Sequence, residues 1–237
     1  MTTSLRSVAG KGVLVTGASS GMGRAIAVLF RSEGANVTAA DRVAGEGIVE
    51  LDVTDPAAIS RVVGDAGQID ILVNNAGVSI PAPITLDDYE NAWNATLDVN
   101  LLGYVRMIRA CLPSLARDRA GRIVNIASTE GLGATAYLSP YTVSKHGVVG
   151  LTRSLACELG PQGITVNCIC PGPINTGMTA PIPDDAKAKF ARRRVPLRRY
   201  GEPDEIAHVV LSLALPASSF LNGAIIPVDG GLTAMNG

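Results

Sequence analysis

Short apolar runs rich in β-branched residues alternate with longer segments of helical periodicity along most of the chain. This alternation is typical of βαβ units, in which parallel strands are buried on both faces by the helices that connect them. It therefore predicts a parallel sheet. We predict seven strands, at Val13–Thr16, Val37–Ala40, Ile48–Leu51, Ile71–Val73, Arg122–Ile126, Thr165–Ile169 and Ala224–Val228.

The helical segments between these runs complete the expected architecture. We predict helices that begin at Gly21 and Pro56, and others around Leu86–Leu115, Pro140–Leu159 and Pro203–Leu215. The fold class is therefore α/β, a Rossmann-like doubly wound sheet of seven parallel strands with helices on both faces. No linker interrupts the series, so we expect one domain over residues 1–237, with a substrate flap around residues 175–200 inside the irregular stretch Pro171–Tyr200.

Composition and charge exclude several classes of protein. The net charge is −1 and the pI is about 6.1, which provides no positive field for nucleic acid or an anionic membrane surface. No apolar stretch is long enough to span a bilayer, and we expect a cytoplasmic protein with a small-molecule partner. Two histidines and four scattered cysteines predict no metal site and reduced, mostly buried thiols.

A glycine-rich turn joins the first strand to the first helix. Residues 16–23 read TGASSGMG, and glycines at such a turn let the backbone approach a pyrophosphate at the positive end of a helix. A tight turn alone would explain the glycines equally well, but the strand–turn–helix context favours a dinucleotide site. The candidate cofactor-binding residues here are Gly17, Ser19, Ser20, Gly21, Met22 and Gly23.

Asp41 ends the second predicted strand, 20 residues after Gly21. An acidic side chain at about this distance can accept hydrogen bonds from the adenosine ribose hydroxyls, although Asp also begins many turns. Its carboxylate would repel the 2′-phosphate of NADP, so the cofactor predicted is NAD, with NADP less favoured. The neighbouring Arg42 complicates this choice, and we interpret it as stacking on the adenine ring.

Tyr141 and Lys145 lie one helical turn apart, on one face of a predicted helix. A cation beside a phenol favours the phenolate, which gives tyrosine a route to acid–base chemistry near neutral pH. Taken alone, such a pair is more often a solvated helix face.

The motifs together identify a family that the chain resembles over nearly its whole length, the short-chain dehydrogenase/reductase family. The matching pieces also include Asp41, and their order and spacing agree. The T-G-x-x-x-G-x-G spacing differs from the T-G-x-x-G-x-x-G of longer relatives such as sugar-nucleotide epimerases. The sequence pieces are TGASSGMG (16–23), LDV (51–53), NNAG (74–77), VNLLG (99–103), IVNIAS (123–128), YTVSK (141–145), PGPINT (171–176) and VDGG (228–231).

The resemblance implies catalytic roles for four residues. Tyr141 would exchange the proton, Lys145 would lower its pKa and bind the nicotinamide ribose, Ser128 would hold the substrate oxygen, and Asn100 would organise a water in a proton relay. A hydrogen-bonded local bend is the alternative role for Asn100. The residues implied to contact the dinucleotide are Asp52, Val53, Asn74, Ala76, Gly77, Tyr141, Lys145, Pro171, Gly172, Ile174 and Thr176.

Asn74 has an alternative interpretation, in which it ties strands together through backbone hydrogen bonds. The segment Arg42–Glu50 is shorter than in many members of the family, which affects the adenine pocket. Family members usually form tetramers through two long helices and C-terminal segments such as Leu221–Gly237, so a homotetramer is expected.

The predicted activity is hydride transfer between NAD(H) and a secondary alcohol or ketone of a small organic substrate. A 3-oxoacyl thioester reductase, acting on an acyl carrier protein or coenzyme A substrate, is the nearest alternative. Arg192, Arg193 and Arg194 could attract such a carrier, although a run of charges like this is more often a solvated helix face. That branch of the family also commonly prefers NADP. A dinucleotide-binding regulator without turnover is a third possibility, which the full set of catalytic residues disfavours.

Overall fold

The computed structural model describes residues 5–235, and its centre is a parallel sheet. All seven strands pair in parallel, in the order β3-β2-β1-β4-β5-β6-β7. The strands are β1 Gly12–Thr16, β2 Asn36–Asp41, β3 Val49–Glu50, β4 Ile71–Asn74, β5 Arg122–Ile126, β6 Thr165–Pro171 and β7 Ile225–Val228. The predicted sheet is therefore confirmed, with each predicted strand overlapping an observed one.

Helices cover both faces of the sheet. They are α1 Gly21–Ser32, α2 Pro56–Asp65, α3 Tyr89–Leu97, α4 Gly103–Ala116, α5 Ser139–Leu159, α6 Asp184–Arg194 and α7 Pro203–Ala214. The Rossmann-like architecture expected from the sequence is confirmed.

Alternate residues of the buried strands divide the core into two layers. Val13 and Val15 of β1 point to the face covered by α1 and α7, where Phe30 is completely buried. Leu14, between them, points to the opposite face, where it joins a cluster that includes Met107 of α4. This division follows from the two-residue period of a strand, and it explains why β1 is apolar throughout.

The strand order reverses at β1, which has β2 on one side and β4 on the other. The connections that leave β1 and β4 run to opposite faces, because α1 packs in one core layer and α4 in the other, so a crevice opens at the carboxyl ends of these two strands. The glycine-rich turn follows β1, and the segment beginning at Asn75 follows β4. The fold therefore places both motifs at one crevice.

Three predicted boundaries were inaccurate, each for a local reason. The helix predicted from Leu86 begins at Tyr89, because turn hydrogen bonds from Leu86 and Tyr89 to carbonyls three residues earlier occupy the chain before it. A π-helical turn at Asp98–Leu102 then separates α3 from α4. Strand β3 has two residues rather than four, since the chain turns between Gly45 and Ile48 just before it.

The irregular stretch predicted at Pro171–Tyr200 contains a regular helix, α6. Its first turn carries Asp184 and Asp185, and its last turn carries Arg192, Arg193 and Arg194, an arrangement that complements the helix dipole. Charge placement, rather than an apolar stripe, therefore stabilises this helix, which is why apolar periodicity did not predict it.

Within the part of the chain that the structure describes, no helix has the length and apolar character needed to cross a membrane. All four cysteines are free; Cys111, Cys168 and Cys170 are buried and Cys157 is exposed. The C-terminal segment predicted to take part in assembly ends at Gly237, and its last two residues lie outside the described range.

Candidate active site

The turn after β1 is shaped so that only glycine fits at its key positions. Gly17 and Gly21 have φ angles of +68° and +52°, in the left-handed region that glycine favours. A Cβ at Gly17 would lie 2.8 Å from the Cα of Ala76, and one at Gly23 would lie 2.0 Å from the carbonyl oxygen of Gly17. The backbone of the turn is therefore exposed toward the crevice and packs closely against the segment after β4.

Asn75 holds this turn in place, and the sequence analysis did not single it out. Its Nδ2 donates to the carbonyl oxygens of Thr16 and Gly17, at 3.0 Å each. The Thr16 hydroxyl in turn accepts hydrogen bonds from the backbone N–H groups of Asn75 and Ala76, at 3.1 Å each. The two adjacent asparagines of NNAG marked this segment as part of the site. Only the fold shows that the second of them, Asn75, supports the glycine turn by hydrogen bonds.

The N-terminus of α1 is open to an anion. Ser20 precedes the helix with an extended backbone and makes no side-chain cap hydrogen bond, and no acidic residue lies in the first turn. The first N–H groups of the helix thus remain available to a phosphate group. Thr176 lies against this turn, since a Cβ at Gly21 would be 3.2 Å from its side chain. Met22 packs against the core below.

Asp41 is fixed beside the glycine turn. Its Oδ2 accepts hydrogen bonds from the Ser19 backbone N–H at 3.0 Å and from the Ser19 hydroxyl at 2.8 Å. Its other oxygen accepts from the Val43 N–H at 3.3 Å. The carboxylate therefore stands at the edge of the crevice, where it borders a pocket of about 390 Å³.

This pocket unites the residues predicted to hold the adenosine half of a dinucleotide. Asp52 makes a local turn in which its Oδ1 accepts from the Thr54 N–H at 2.8 Å and hydroxyl at 2.7 Å, and these hydrogen bonds lower the pKa of the Asp52 carboxyl. The nearby Arg42 contributes to the same lowering. The predicted residues that line the pocket are Gly17, Asp41, Arg42, Asp52, Val53, Ala76 and Gly77.

The segment after β6 forms the opposite wall of the crevice. Pro171 is the buried last residue of β6, and Gly172 packs so closely on β7 that a Cβ would lie 2.7 Å from the Cα of Asp229. Ile174 is buried and pairs with Gly201 in a short parallel bridge. These contacts anchor the beginning and the end of the flap region to each other.

Tyr141, Lys145 and Ser128 come together at the end of β5. The Nζ of Lys145 lies 5.6 Å from the centroid of the Tyr141 ring and donates to the carbonyl oxygen of Ile126 at 2.9 Å. The Ser128 hydroxyl lies close enough to the Tyr141 phenol to lower its pKa. The Tyr104 ring lies 5.6 Å from the same Nζ, a contact that the sequence analysis missed.

Burial sets the proton affinity of both groups. It raises the pKa of Tyr141 to about 12, although the Ser128 hydrogen bond acts in the opposite direction. It lowers the pKa of Lys145 to about 8, because a buried ammonium loses its hydration. The two pKa values, which ordinarily lie close together, therefore move apart, and burial favours the neutral form of each group.

Asn100 holds the chain after β4 at this site. Located in the π-helical turn, it is fully buried; its Oδ1 accepts from the Val78 N–H at 2.8 Å and its Nδ2 donates to the Val78 carbonyl at 2.9 Å. The Nδ2 also donates to the Ser144 hydroxyl at 3.0 Å. A Cβ at Gly77 would lie 3.3 Å from Asn100 Oδ1 and 3.6 Å from Lys145 Nζ, so all three meet at one point.

Asn74 is completely buried, and its side chain hydrogen-bonds to another side chain on the neighbouring strand rather than to the backbone. Its Nδ2 donates to Asn125 Oδ1 at 2.9 Å, and Asn125 donates in turn to the Thr152 hydroxyl at 3.0 Å. The network ties β4 to β5 and α5. Asn74 therefore supports the floor of the site through its side chain.

Comparisons with known proteins agree with this geometry. A family model described as enoyl-(acyl carrier protein) reductase matches residues 17–233. The chain belongs to the short-chain dehydrogenase/reductase family. It is accordingly an oxidoreductase of CH–OH or C=O groups that uses a nicotinamide dinucleotide.

Two similar curated proteins show that members of the family are named for different substrates. The 3-oxoacyl-[acyl-carrier-protein] reductase FabG of Thermotoga maritima is 38% identical, with 94% of this chain and 98% of the relative covered. The meso-2,3-butanediol dehydrogenase of Serratia marcescens is also 38% identical, with 96% of each covered. One relative is named for an acyl-carrier substrate and the other for a small diol.

Solved structures match nearly the whole chain. A protein of Agrobacterium tumefaciens, provisionally named a 2-deoxy-D-gluconate 3-dehydrogenase and solved with bound NADP, superposes with a TM-score of 0.91 at 37% identity, covering 98% of this chain and 100% of its own. A provisionally named NAD(P)-dependent gluconate 5-dehydrogenase of Beutenbergia cavernae, with NADP at low occupancy, gives 0.89 at 33%, covering 97% and 99%.

Proposed function

We propose that this protein interconverts a secondary alcohol and a ketone on a small organic substrate, with NAD(H) as the preferred dinucleotide and Tyr141 as the acid–base group. One observation carries the proposal. The buried Lys145 ammonium lies beside the Tyr141 ring, and the Ser128 hydroxyl acts on the same phenol, at the end of β5.

The residues around the crevice fit a dinucleotide. The glycine turn forms a cradle that any Cβ would fill, the first turn of α1 has free N–H groups, and the pocket beside Asp41 has room for a nucleoside. Gly17–Gly23 would hold the pyrophosphate, Asp41 the adenosine ribose, and Pro171–Thr176 the nicotinamide. When bound, the dinucleotide supplies the hydride donor or acceptor.

Tyr141 is the residue that donates or accepts the substrate's hydroxyl proton. In the direction of ketone reduction, the phenol donates its proton to the substrate oxygen, which the Ser128 hydroxyl orients by a hydrogen bond. In the direction of alcohol oxidation, the phenolate accepts that proton. Since burial is the main cause that raises the pKa of Tyr141 to about 12, the oxidation direction needs a positive charge nearby, and the Lys145 ammonium, 5.6 Å from the ring centroid, supplies it.

Lys145 and Asn100 support that step. The Ile126 carbonyl holds the Lys145 ammonium 5.6 Å from the centroid of the Tyr141 ring, and Lys145 would bind the nicotinamide ribose. Asn100 keeps Val78 and Gly77 close to this lysine. We propose that a water bound near Asn100 and the Lys145 ammonium passes the proton toward solvent.

The preference for NAD is supported by Asp41. Its carboxylate faces the adenosine end of the crevice and is fixed there by Ser19, so a 2′-phosphate would bring like charges together. Two facts support NADP instead. Arg42 borders the same pocket, and two similar structures were solved with NADP. The relative use of the two dinucleotides is therefore the sharpest question about this site.

Reduction of 3-oxoacyl thioesters is a second candidate function. The FabG relatives favour it, and so do the exposed Arg192, Arg193 and Arg194 at the end of α6, since acyl carriers are anionic. We propose that the flap of residues 175–200 determines which of the two substrate classes binds. We also propose that the chain is a single cytoplasmic domain that assembles as a homotetramer.

A substrate panel tests the proposal. Purified protein is assayed with NAD and NADP against secondary alcohols and vicinal diols, and with NADH and NADPH against ketones and 3-oxoacyl thioesters. Turnover of alcohols or ketones with NAD(H) supports the proposal, and selective turnover of acyl thioesters supports the second candidate. Dinucleotide binding without turnover of any substrate would favour a regulator instead.

A further inference from the structure

Glu130 lies in a short 3₁₀ turn, Thr129–Gly131, immediately after Ser128. Its Oε1 accepts from the Thr135 hydroxyl at 2.6 Å, and its Oε2 accepts from the Thr135 N–H at 2.9 Å and from the Thr142 hydroxyl at 2.7 Å. Thr142 directly follows Tyr141 in α5. One carboxylate therefore connects the residues next to Ser128 with the residue next to Tyr141.

The turn is fixed from two other directions. The Glu130 N–H donates to the Ser128 hydroxyl oxygen at 3.1 Å, which leaves the hydroxyl hydrogen free to point at Tyr141. Gly131 packs directly on α5, since a Cβ there would lie 2.8 Å from the Lys145 carbonyl oxygen. The turn that carries Glu130 is therefore held both by Ser128 before it and by the first turns of α5.

The loop between this turn and α5 has little regular structure of its own. Tyr137 adopts a left-handed φ of +67°, and its carbonyl oxygen accepts from the Ala82 N–H at 2.8 Å. Hydrogen bonds to a carboxylate are stronger than those between neutral groups, so Glu130 supplies the firmest polar ties between this loop and α5. A displacement of about 1 Å at a reacting group can cost roughly a hundredfold in rate.

We infer that Glu130 is a positioning residue: its carboxylate bridges Thr135 and Thr142 and so sets the approach of Ser128 to Tyr141. This inference rests on the proposed function. It goes beyond it in assigning a role to a side chain that touches neither the proposed proton path nor the dinucleotide crevice.

The charge of Glu130 has a separate and measurable consequence. It contributes, after burial, to the raised pKa of Tyr141. Removing that charge should lower the pKa of Tyr141 and move the pH profile of turnover toward lower pH in both directions. The other charged or titratable groups facing this pair are Lys145 on α5, Tyr104 on α4, and the thiols of Cys168 and Cys170 on β6, which act on Lys145.

Two pairs of variants separate the effect of the Glu130 hydrogen bonds from the effect of its negative charge. Glu130→Ala removes the hydrogen bonds and the charge together, and we expect kcat to fall roughly ten- to hundredfold with an unchanged Kd for NADH. Glu130→Gln keeps an acceptor for the threonines, so most of the rate should return while the pH profile still moves to lower pH. Thr142→Val breaks the bridge without changing charge, so it should lower kcat with no movement of the profile, whereas Thr142→Ser should resemble the parent.

Glu158→Gln, at an exposed position of α5, is the matched control and should change neither kcat nor the pH profile. Hydrogen exchange at the Thr135 amide provides a readout independent of activity, because this N–H donates to Glu130. It should be slow in the parent and in Glu158→Gln, and fast in Glu130→Ala.

Three results overturn the inference: equal exchange at Thr135 in the parent and Glu130→Ala, a parent-like kcat in both Glu130→Ala and Thr142→Val, or a pH profile that Glu130→Gln leaves in place. A parent protein without any turnover would instead contradict the proposed function. In that case the exchange experiment still decides whether the bridge exists.

Discussion

The Lys145 ammonium is held 2.9 Å from the carbonyl oxygen of Ile126, and this hydrogen bond keeps it 5.6 Å from the centroid of the Tyr141 ring. The lysine is 3% exposed. A buried ammonium is unfavourable for folding, since it loses its hydration, and the lowered pKa of Lys145 reflects that cost. Stability and chemistry are therefore opposed at this residue.

The first prediction concerns how the burial of Lys145 makes stability depend on pH. The folded-state pKa of Lys145 is about 8, below its ordinary value of 10.5, so between these limits the unfolded chain binds more protons than the folded one. Stability must then rise with pH across this window. Relative to Lys145→Met, the parent should gain free energy of unfolding from about pH 8 to pH 10 in urea titrations. A difference that does not vary with pH would show that Lys145 keeps its ordinary pKa.

The second prediction concerns the acid–base group. Tyr141→Phe should fold and bind NADH like the parent, because the ring packing is kept, while turnover falls by roughly 10² to 10⁴, the usual contribution of general acid–base catalysis. Steady-state kinetics together with NADH fluorescence would measure both. The matched control is Tyr137→Phe, whose side chain is 69% exposed and whose rate should stay near that of the parent. Near-parental turnover in Tyr141→Phe would remove this tyrosine from the mechanism.

The third prediction concerns the choice of dinucleotide. With Asp41 fixed by Ser19, kcat/KM should favour NAD over NADP by at least about tenfold, the equivalent of roughly 1.4 kcal/mol. Asp41→Ala should narrow or invert that preference, because Arg42 could then pair with the 2′-phosphate. Asp65→Ala, an exposed change at the end of α2, serves as the control. If the parent uses NADP as well as NAD, Asp41 does not exclude the phosphate.

The fourth prediction concerns the basic end of α6. If Arg192 and Arg193 capture an anionic substrate, replacing both with serine should raise KM for acyl thioesters and leave KM for neutral ketones unchanged. The parent's KM for the thioesters should also rise with salt. These arginines also complement the dipole of α6, so thermal denaturation of the variant must be compared with Arg153→Ser on α5. Equal KM values for every substrate would leave only the structural role.

The fifth prediction concerns assembly. Family resemblance favours a tetramer built on the helix pair α4 and α5 and on the C-terminal segment, and exposed apolar residues such as Leu102 and Val143 lie in or beside these helices. Light scattering at micromolar concentration should report a mass near four times the 24.4 kDa of one chain. A mass of one chain would show that these faces need no partner.

Much of the fold was readable from local pattern. Parallel strands that are buried on both faces need largely apolar runs, and such runs marked all seven strands to within two residues of their ends. The glycines at 17 and 21 were equally readable, because positive φ angles restrict the residue type. The weakest predictions involved elements that burial does not stabilise: the exposed two-residue β3 and the charged helix α6.

The candidate site divides in the same way. The spacing of Tyr141 and Lys145 follows from helix geometry, so the sequence alone placed them on one face. The partners that give them their chemistry come from other elements: Ile126 for Lys145, Val78 for Asn100, and Thr142 for Glu130. Those contacts join residues between 12 and 22 positions apart. Only the packing of strands against helices brings them within hydrogen-bonding distance, and for that reason the sequence determined which groups are present while the tertiary structure decided what each one binds.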